Sequence, residues 1–157
     1  YQKLSMKLIR KHFDILDTYN LANYQKLTKK FIKEKNININ PDNWLYKNSE
    51  FKKNEIINSG LYECYDDYFI AYKIIDEDRH SIYNRQYYYI KDNTYTSHAD
   101  YTDDENSFGL SAWNLDNVKY YREAFKLIIK VKIYYKDVAR LLKHNGKIRC
   151  CRLTILS

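Results

Sequence analysis

Four carboxylates fall close together at Asp100, Asp103, Asp104 and Glu105, and clustered oxygen donors are what a divalent cation takes. Their spacing fits no EF-hand calcium loop, so the stretch reads as a solvated acidic loop. The three thiols, Cys64, Cys150 and Cys151, make an odd count without C-x-x-C spacing. They read as reduced, part-buried thiols of a reducing compartment. Zinc needs a fourth convergent ligand, and none of His12, His80, His98 and His144 lies at motif spacing. Those histidines also lack a Ser or Cys partner at a spacing that would argue a nucleophilic triad. Three glycines in 157 residues leave no phosphate-cradling Gly-rich loop. No metal and no cofactor is expected.

The remaining ligand-cleft candidates are Lys73, Ser111 and Trp113. Residues 105–114 read ENSFGLSAWN and hold one of the three glycines and one of the two tryptophans. Gly109 supplies backbone freedom at a loop end, and Trp113 either packs under the helix that follows or stacks on a ligand. Tyr72-Lys73 and Phe108-Gly109-Leu110-Ser111 loosely resemble the basic strand residue and the Ser/Thr stretch of ADP-ribosyltransferases. That resemblance implies a cation near a pyrophosphate, an aromatic platform and a carboxylate that steadies developing positive charge. The chain departs from the pattern: Lys73 stands where Arg or His is usual, and no Glu-x-Glu or Gln-x-Glu is present. A plain strand lysine is the competing reading.

Charge is unevenly laid out. Residues 1–60 carry 12 Lys/Arg against 6 Asp/Glu, residues 61–118 carry 4 against 12, and residues 119–157 carry 11 against 2. A uniformly basic nucleic-acid binder lacks such an acidic middle. The basic C-terminal segment, with Lys130, Lys132, Lys136, Arg140, Lys147, Arg149 and Arg152, is the phosphate-binding candidate. Its competing role is to offset the acidic segment from within the same molecule. Tyr87, Tyr88 and Tyr89, between Arg85 and Lys91, are candidates for base stacking, although successive strand residues cannot share a face. AT-rich coding is the plain alternative for the abundance of Lys, Asn, Ile and Tyr.

The elements that must position these groups change character near Asn58-Ser59-Gly60, a turn and a candidate boundary. Beyond it, β-rich runs at 68–75, 86–90, 94–96 and 127–134 predict strands. A helix is predicted after Asn114, with Leu115, Val118, Tyr121 and Phe125 on its buried side. A short helix is predicted over 137–142, and a final strand over 147–156. This mixture predicts a small α+β domain with a mainly antiparallel sheet over residues 59–157. No apolar run reaches the ~18 residues of a membrane span.

Ahead of the boundary, Tyr1-Gln2-Lys3-Leu4-Ser5 recurs in register as Tyr24-Gln25-Lys26-Leu27-Thr28. Apolar residues follow each copy at helical spacing, and Ser5 and Thr28 are helix-starting caps. Residues 1–58 therefore read as α-helical repeats of solenoid type, the end of a longer array. The repeat resembles one in uncharacterised proteins of mimivirus-type giant DNA viruses and some phages. Through Ala71-Tyr72-Lys73, Tyr89 to Tyr95, Gly109-Leu110-Ser111-Ala112-Trp113, Lys130-Val131-Lys132 and Lys147-Ile148-Arg149-Cys150, residues 61–157 resemble the uncharacterised C-terminal domain of such proteins. The repeat's usual Trp-Tyr-Ile-Ser stretch is replaced here by Asp17-Thr18-Tyr19-Asn20-Leu21. The resemblance implies viral origin, in virion or host cytoplasm. The expected function is non-enzymatic: helical repeats, capped by the α+β domain, engaging a protein partner. Nucleic-acid binding is the second reading and transferase activity the third.

Overall fold

A computed structural model describes residues 2–120 and 126–157 of the chain. They form two compact units, Tyr1–Lys47 and Asn48–Ser157. In the first, α1 (Met6–His12), α2 (Thr18–Tyr24) and α3 (Lys29–Glu34) are each about two turns long. Their starts are written locally. Ser5, Asp17 and Thr28 each accept a backbone N–H three residues on, satisfying a donor that the first turn leaves orphaned. Ile9, Leu21, Ala22, Leu27, Phe31 and Ile37 form the core, with Phe13 edge-on to Phe31 at 5.5 Å.

This is not a repeat solenoid, and the helical-array expectation is corrected on that point. The two sequence copies sit in unlike environments. Gln25 is buried, and its side-chain amide donates to Gln2 O (2.8 Å) and accepts from Leu4 N (2.9 Å), whereas Gln2 is exposed. The second copy thus clips the first instead of stacking on it as an equivalent. After α3 the chain turns at Asn36 (φ 49°) and runs irregularly to a 3-10 turn at Trp44–Tyr46, so no helix follows α3 directly to continue an array. The described strands instead all join one antiparallel sheet in the second unit.

The second unit opens with α4 (Ser49–Ser59), capped by Asn48. It ends at Gly60, whose left-handed backbone (φ 67°) is the usual glycine stop for a helix. Its buried Ile56 and Lys52 face inward, and Lys52 Nζ donates to Val138 O at 2.7 Å. Among the described residues eight strands follow: β1 (Glu63–Cys64), β2 (Tyr68–Asp76), β3 (Thr94–Thr96), β4 (Leu110–Trp113), β5 (Lys126–Tyr134), β6 (Val138–Leu142), β7 (Lys147–Cys150) and β8 (Arg152–Ile155). A short helix, α5 (Leu115–Tyr120), joins β4 towards β5 and buries Val118, while Leu115 stays 40% exposed. Tyr121 and Phe125, expected on its buried side, lie outside the described residues.

The order is β3-β8-β5-β2-β4-β7-β6, with β1 added to β2. β2 and β5 form the spine, paired residue by residue from Tyr68↔Tyr134 to Asp76↔Lys126. Four strand steps separate β8 from β7, about 19 Å in a flat sheet. Yet only Cys151 joins them, and two residue steps reach about 7 Å. The sheet therefore curls until its walls meet at Cys151. Phe69, Ala71, Ile75, Ile129, Val131, Ile133, Ile148, Cys150, Leu153 and Ile155 lie on its buried side, each at most 3% exposed.

Three local predictions differ from the structure. Residues 86–90 form only an isolated bridge, His80↔Tyr88. Residues 138–142, read as a helix, are β6. The expected last strand is split at Cys151 into β7, which pairs with β4 and β6, and β8, which pairs with β3 and β5.

Candidate functional site

Folding spends much of the C-terminal basic charge inside the sheet unit. Arg149 is fully buried on β7, and its guanidinium donates to the carbonyls of Asp100 (3.1 Å), Thr102 (2.7 Å) and Asp104. It tethers the acidic loop, and Gly109 leaves its stem room to pass. A Cβ at Gly109 would stand 2.5 Å from Arg149 Cγ. Lys147 is half-buried, donates to Glu105 O (2.7 Å) and lies over the Trp113 ring (5.4 Å). Lys130 faces Glu63 at 4.0 Å, Lys143 pairs with Glu55 at 2.7 Å, and Lys126 pairs with Asp76. Over residues 48–157 the count is 17 Lys/Arg against 16 Asp/Glu. Within this segment Lys126, Lys130 and Lys143 offset carboxylates, whereas Arg149 and Lys147 are held by backbone carbonyls and are not free to grip phosphate.

The acidic loop has its own fastening. Asp100, 4% exposed, takes His98 Nε2 at 3.0 Å on one carboxylate oxygen and the Ser107 hydroxyl on the other. The carboxylate stands between His and Ser, so the histidine cannot relay a proton from that serine as a triad requires. Among the described residues no group of three His, Cys, Asp or Glu is placed to hold a metal ion.

Lys73 and Ser111 meet, though not as a cleft. Lys73 is 8% exposed; its Nζ donates to the Ser111 backbone carbonyl at 2.8 Å and lies 5.5 Å from the Tyr89 ring centroid. The pairing Tyr72↔Trp113 puts the side chains of Trp113 and Ser111 on the Tyr72 side of the sheet. Lys73 points to the other side, towards buried Cys150. Burial pulls its pKa down to about 8, with Cys150 opposing and Lys147 lowering it further. A transferase-like site needs these groups on one wall with a carboxylate, and strand alternation separates them. Tyr87, Tyr89 and Tyr95 pack among themselves; within the run 87–89, Tyr89 is core, Tyr87 is half-buried and Tyr88 is exposed.

Two surfaces remain. The first belongs to the helical unit, which carries 10 Lys/Arg against 4 Asp/Glu. Arg10 on α1 pairs with Glu34 on α3 at 3.0 Å, fixing those helices side by side. The Arg10 hydrogen bond holds the Glu34 carboxyl below its usual range, and the charges of Arg10, Lys35 and Lys30 act in the same direction. Lys7 and Lys11 share a stripe on α1 by their i, i+4 spacing, as Lys29 and Lys33 do on α3. All of these lysines are exposed. One carboxylate thus sits amid a basic seam that the sequence counts hid within a larger segment.

The second surface lies at one end of the sheet. Tyr65 stacks on Tyr68 (4.7 Å, 17°), and Tyr68 meets the edge of Tyr134 (6.1 Å). Lys132 Nζ lies 5.5 Å from Tyr68 and 5.3 Å from Tyr134, and Lys136 lies 5.8 Å from Tyr134. Tyr134 also borders a cleft of about 380 Å³ between α4, the β1–β2 turn and the 3-10 turn Tyr135–Asp137. Lys132 and Lys136 were legible as candidates. Lys53, Asp66 and Asp67 were not, because only the fold brings 49–53, 66–67 and 134–136 together. Arg152 is exposed on β8, on the side of the sheet that carries Lys132 through the pairing Lys132↔Thr154, and Arg140 is half-buried on β6.

No protein-family model, curated protein or solved structure matches the chain. No described helix is long and apolar enough to cross a membrane.

Proposed function

We propose that this protein is a non-enzymatic nucleic-acid-binding protein whose phosphate contacts are made by the helical unit rather than by the C-terminal segment. The observation that carries this reading is the partition of charge. The sheet unit carries 17 Lys/Arg against 16 Asp/Glu and so nearly balances, while the helical unit carries 10 against 4, with Lys7, Lys11, Lys29, Lys30 and Lys33 exposed along α1 and α3. Cations held on short capped helices present fixed charge to a phosphate backbone, and binding then releases counterions. The protein-partner reading rested on a stacked helical surface; with that surface gone, only the tyrosines support it. The viral setting implied by the Tyr-Gln-Lys-Leu-Ser resemblance is compatible with nucleic acid as partner in virion or host cytoplasm.

The test is fluorescence anisotropy of the full chain with a labelled 20-nucleotide strand and its duplex, across roughly 50–200 mM salt. With four or five phosphates engaged, log K falls with log salt at a slope of roughly −3 to −5. The pair Lys7→Glu and Lys30→Glu shallows that slope, and the exposed control Lys143→Glu leaves it unchanged. A salt-insensitive affinity, or equal effects of seam and control variants, would overturn the reading.

A further inference from the structure

The end-of-sheet cleft combines groups that rarely serve one simple ligand. Its walls carry two ammonium groups, Lys53 and Lys136, and the carboxylates of Glu50, Asp66 and Asp67, with the ring of Tyr134 at its edge. Lys132 and Lys136 stand 5.3 Å and 5.8 Å from that ring. Two ammonium groups on one ring repel a cationic side chain. They favour a ligand that joins a flat group to a negative charge. An anion alone meets the carboxylates. A neutral apolar ligand leaves several charges to be desolvated without compensation. The volume of about 380 Å³ lies within the ~300–1,000 Å³ range of small-ligand clefts.

We infer that this cleft is a nucleotide-binding site. The base lies against Tyr134, the phosphate is met by Lys136 with Lys132 or Lys53, and Asp66 and Asp67 accept hydrogen bonds from ribose hydroxyls or an exocyclic amine. A ribose hydroxyl or exocyclic amine is a donor, which a carboxylate can accept. Aromatic stacking beside a cation is also how single strands are held without sequence readout. The site deepens the nucleic-acid reading by naming the unit bound, yet stands on residues outside the helical unit.

The experiment is an amide-shift titration of the ¹⁵N-labelled full chain with adenosine 5′-monophosphate. Adenosine alone, inorganic phosphate alone and an acidic aromatic peptide, Asp-Phe-Asp blocked at both ends, run in parallel. The mononucleotide is expected to move Asp66, Asp67, Tyr134 and Lys136 together, and adenosine and phosphate to bind at least about ten-fold more weakly. Lys136→Glu, a change at an exposed position, weakens the mononucleotide about ten-fold, and Tyr134→Leu, which removes the ring and keeps apolar bulk, does the same. The inference is overturned if phosphate alone reproduces the shifts, if the peptide binds more tightly, or if no cleft resonance moves. Loss of mononucleotide binding with salt-dependent oligonucleotide binding intact removes the cleft alone. The converse removes the helical seam alone.

Discussion

Lys73 offers the sharpest quantitative test of the fold. Its ammonium lies on the buried side of β2 with the Ser111 carbonyl, the Tyr89 ring and the neutral Cys150 thiol as neighbours. Burial depresses its pKa from the ordinary lysine value near 10.5 to about 8. The folded state therefore binds this proton less tightly than the unfolded chain does. The penalty is complete below about pH 8, shrinks as pH rises, and is gone above about pH 10.5. At roughly 1.4 kcal/mol per pKa unit the full penalty is about 3 kcal/mol, and about 2 kcal/mol of it is relieved between pH 7 and pH 9.5. Lys73→Met keeps the stem and removes the titration. Urea unfolding of both proteins at those two pH values should show wild type gaining about 2 kcal/mol relative to the variant. The variant supplies the background for the tyrosines, of which Tyr62, Tyr89 and Tyr135 are pushed up by burial. Parallel pH curves for the two proteins would refute the buried, depressed lysine.

Two further outcomes are expected. Gly109→Ala places a methyl group 2.5 Å from Arg149 Cγ, at a positive φ that side chains rarely adopt. Thermal or urea denaturation should report a loss of about 3 kcal/mol, and an unchanged midpoint would contradict the close passage. Cys150 is buried with its thiol pKa pushed up, whereas Cys64 and Cys151 are half-buried. A thiol-specific reagent should therefore modify at most two cysteines in the native protein and three in denaturant; rapid reaction of all three would argue against the packed β7.

Several elements were legible because their side chains alternate or cap in ways that need no distant partner. The β2 and β5 runs and the Ser5 and Thr28 caps are of this kind, whereas α5 begins after Asn114 although the Asn114 Oδ1 expected to cap it has no hydrogen-bond partner. The region 138–142 misled for an identifiable reason. A bulge between Val138 and Arg140 puts Val138 opposite Cys150 and Leu141 opposite Ile148. Two residues three apart then face the same side, which imitates a helix in a strand. Tyr87-Tyr88-Tyr89 has strand composition, yet Tyr89 is drawn into the core beneath Lys73, a tertiary demand invisible locally. The repeat at 1–28 is real as sequence, but buried Gln25 and exposed Gln2 show that equal words can occupy unequal places. Of the candidate cations, Lys136 lines the cleft and Lys132 lies beside the Tyr134 ring at its edge. Arg149 could not be told from them, because three carbonyls from a sequence-distant loop decide its burial.

The joint at Cys151 also constrains how the molecule comes into being. β7 and β8 stand beside β3, β4, β5 and β6, and both follow all of these along the chain. No wall of the curled sheet can be finished until its latest-made strands arrive, and those strands must seat on two sides within a residue of each other. Nascent chain paused before Lys147 would expose the flanks of β4, β5 and β6 together, which makes that interval the period of greatest need for a chaperone.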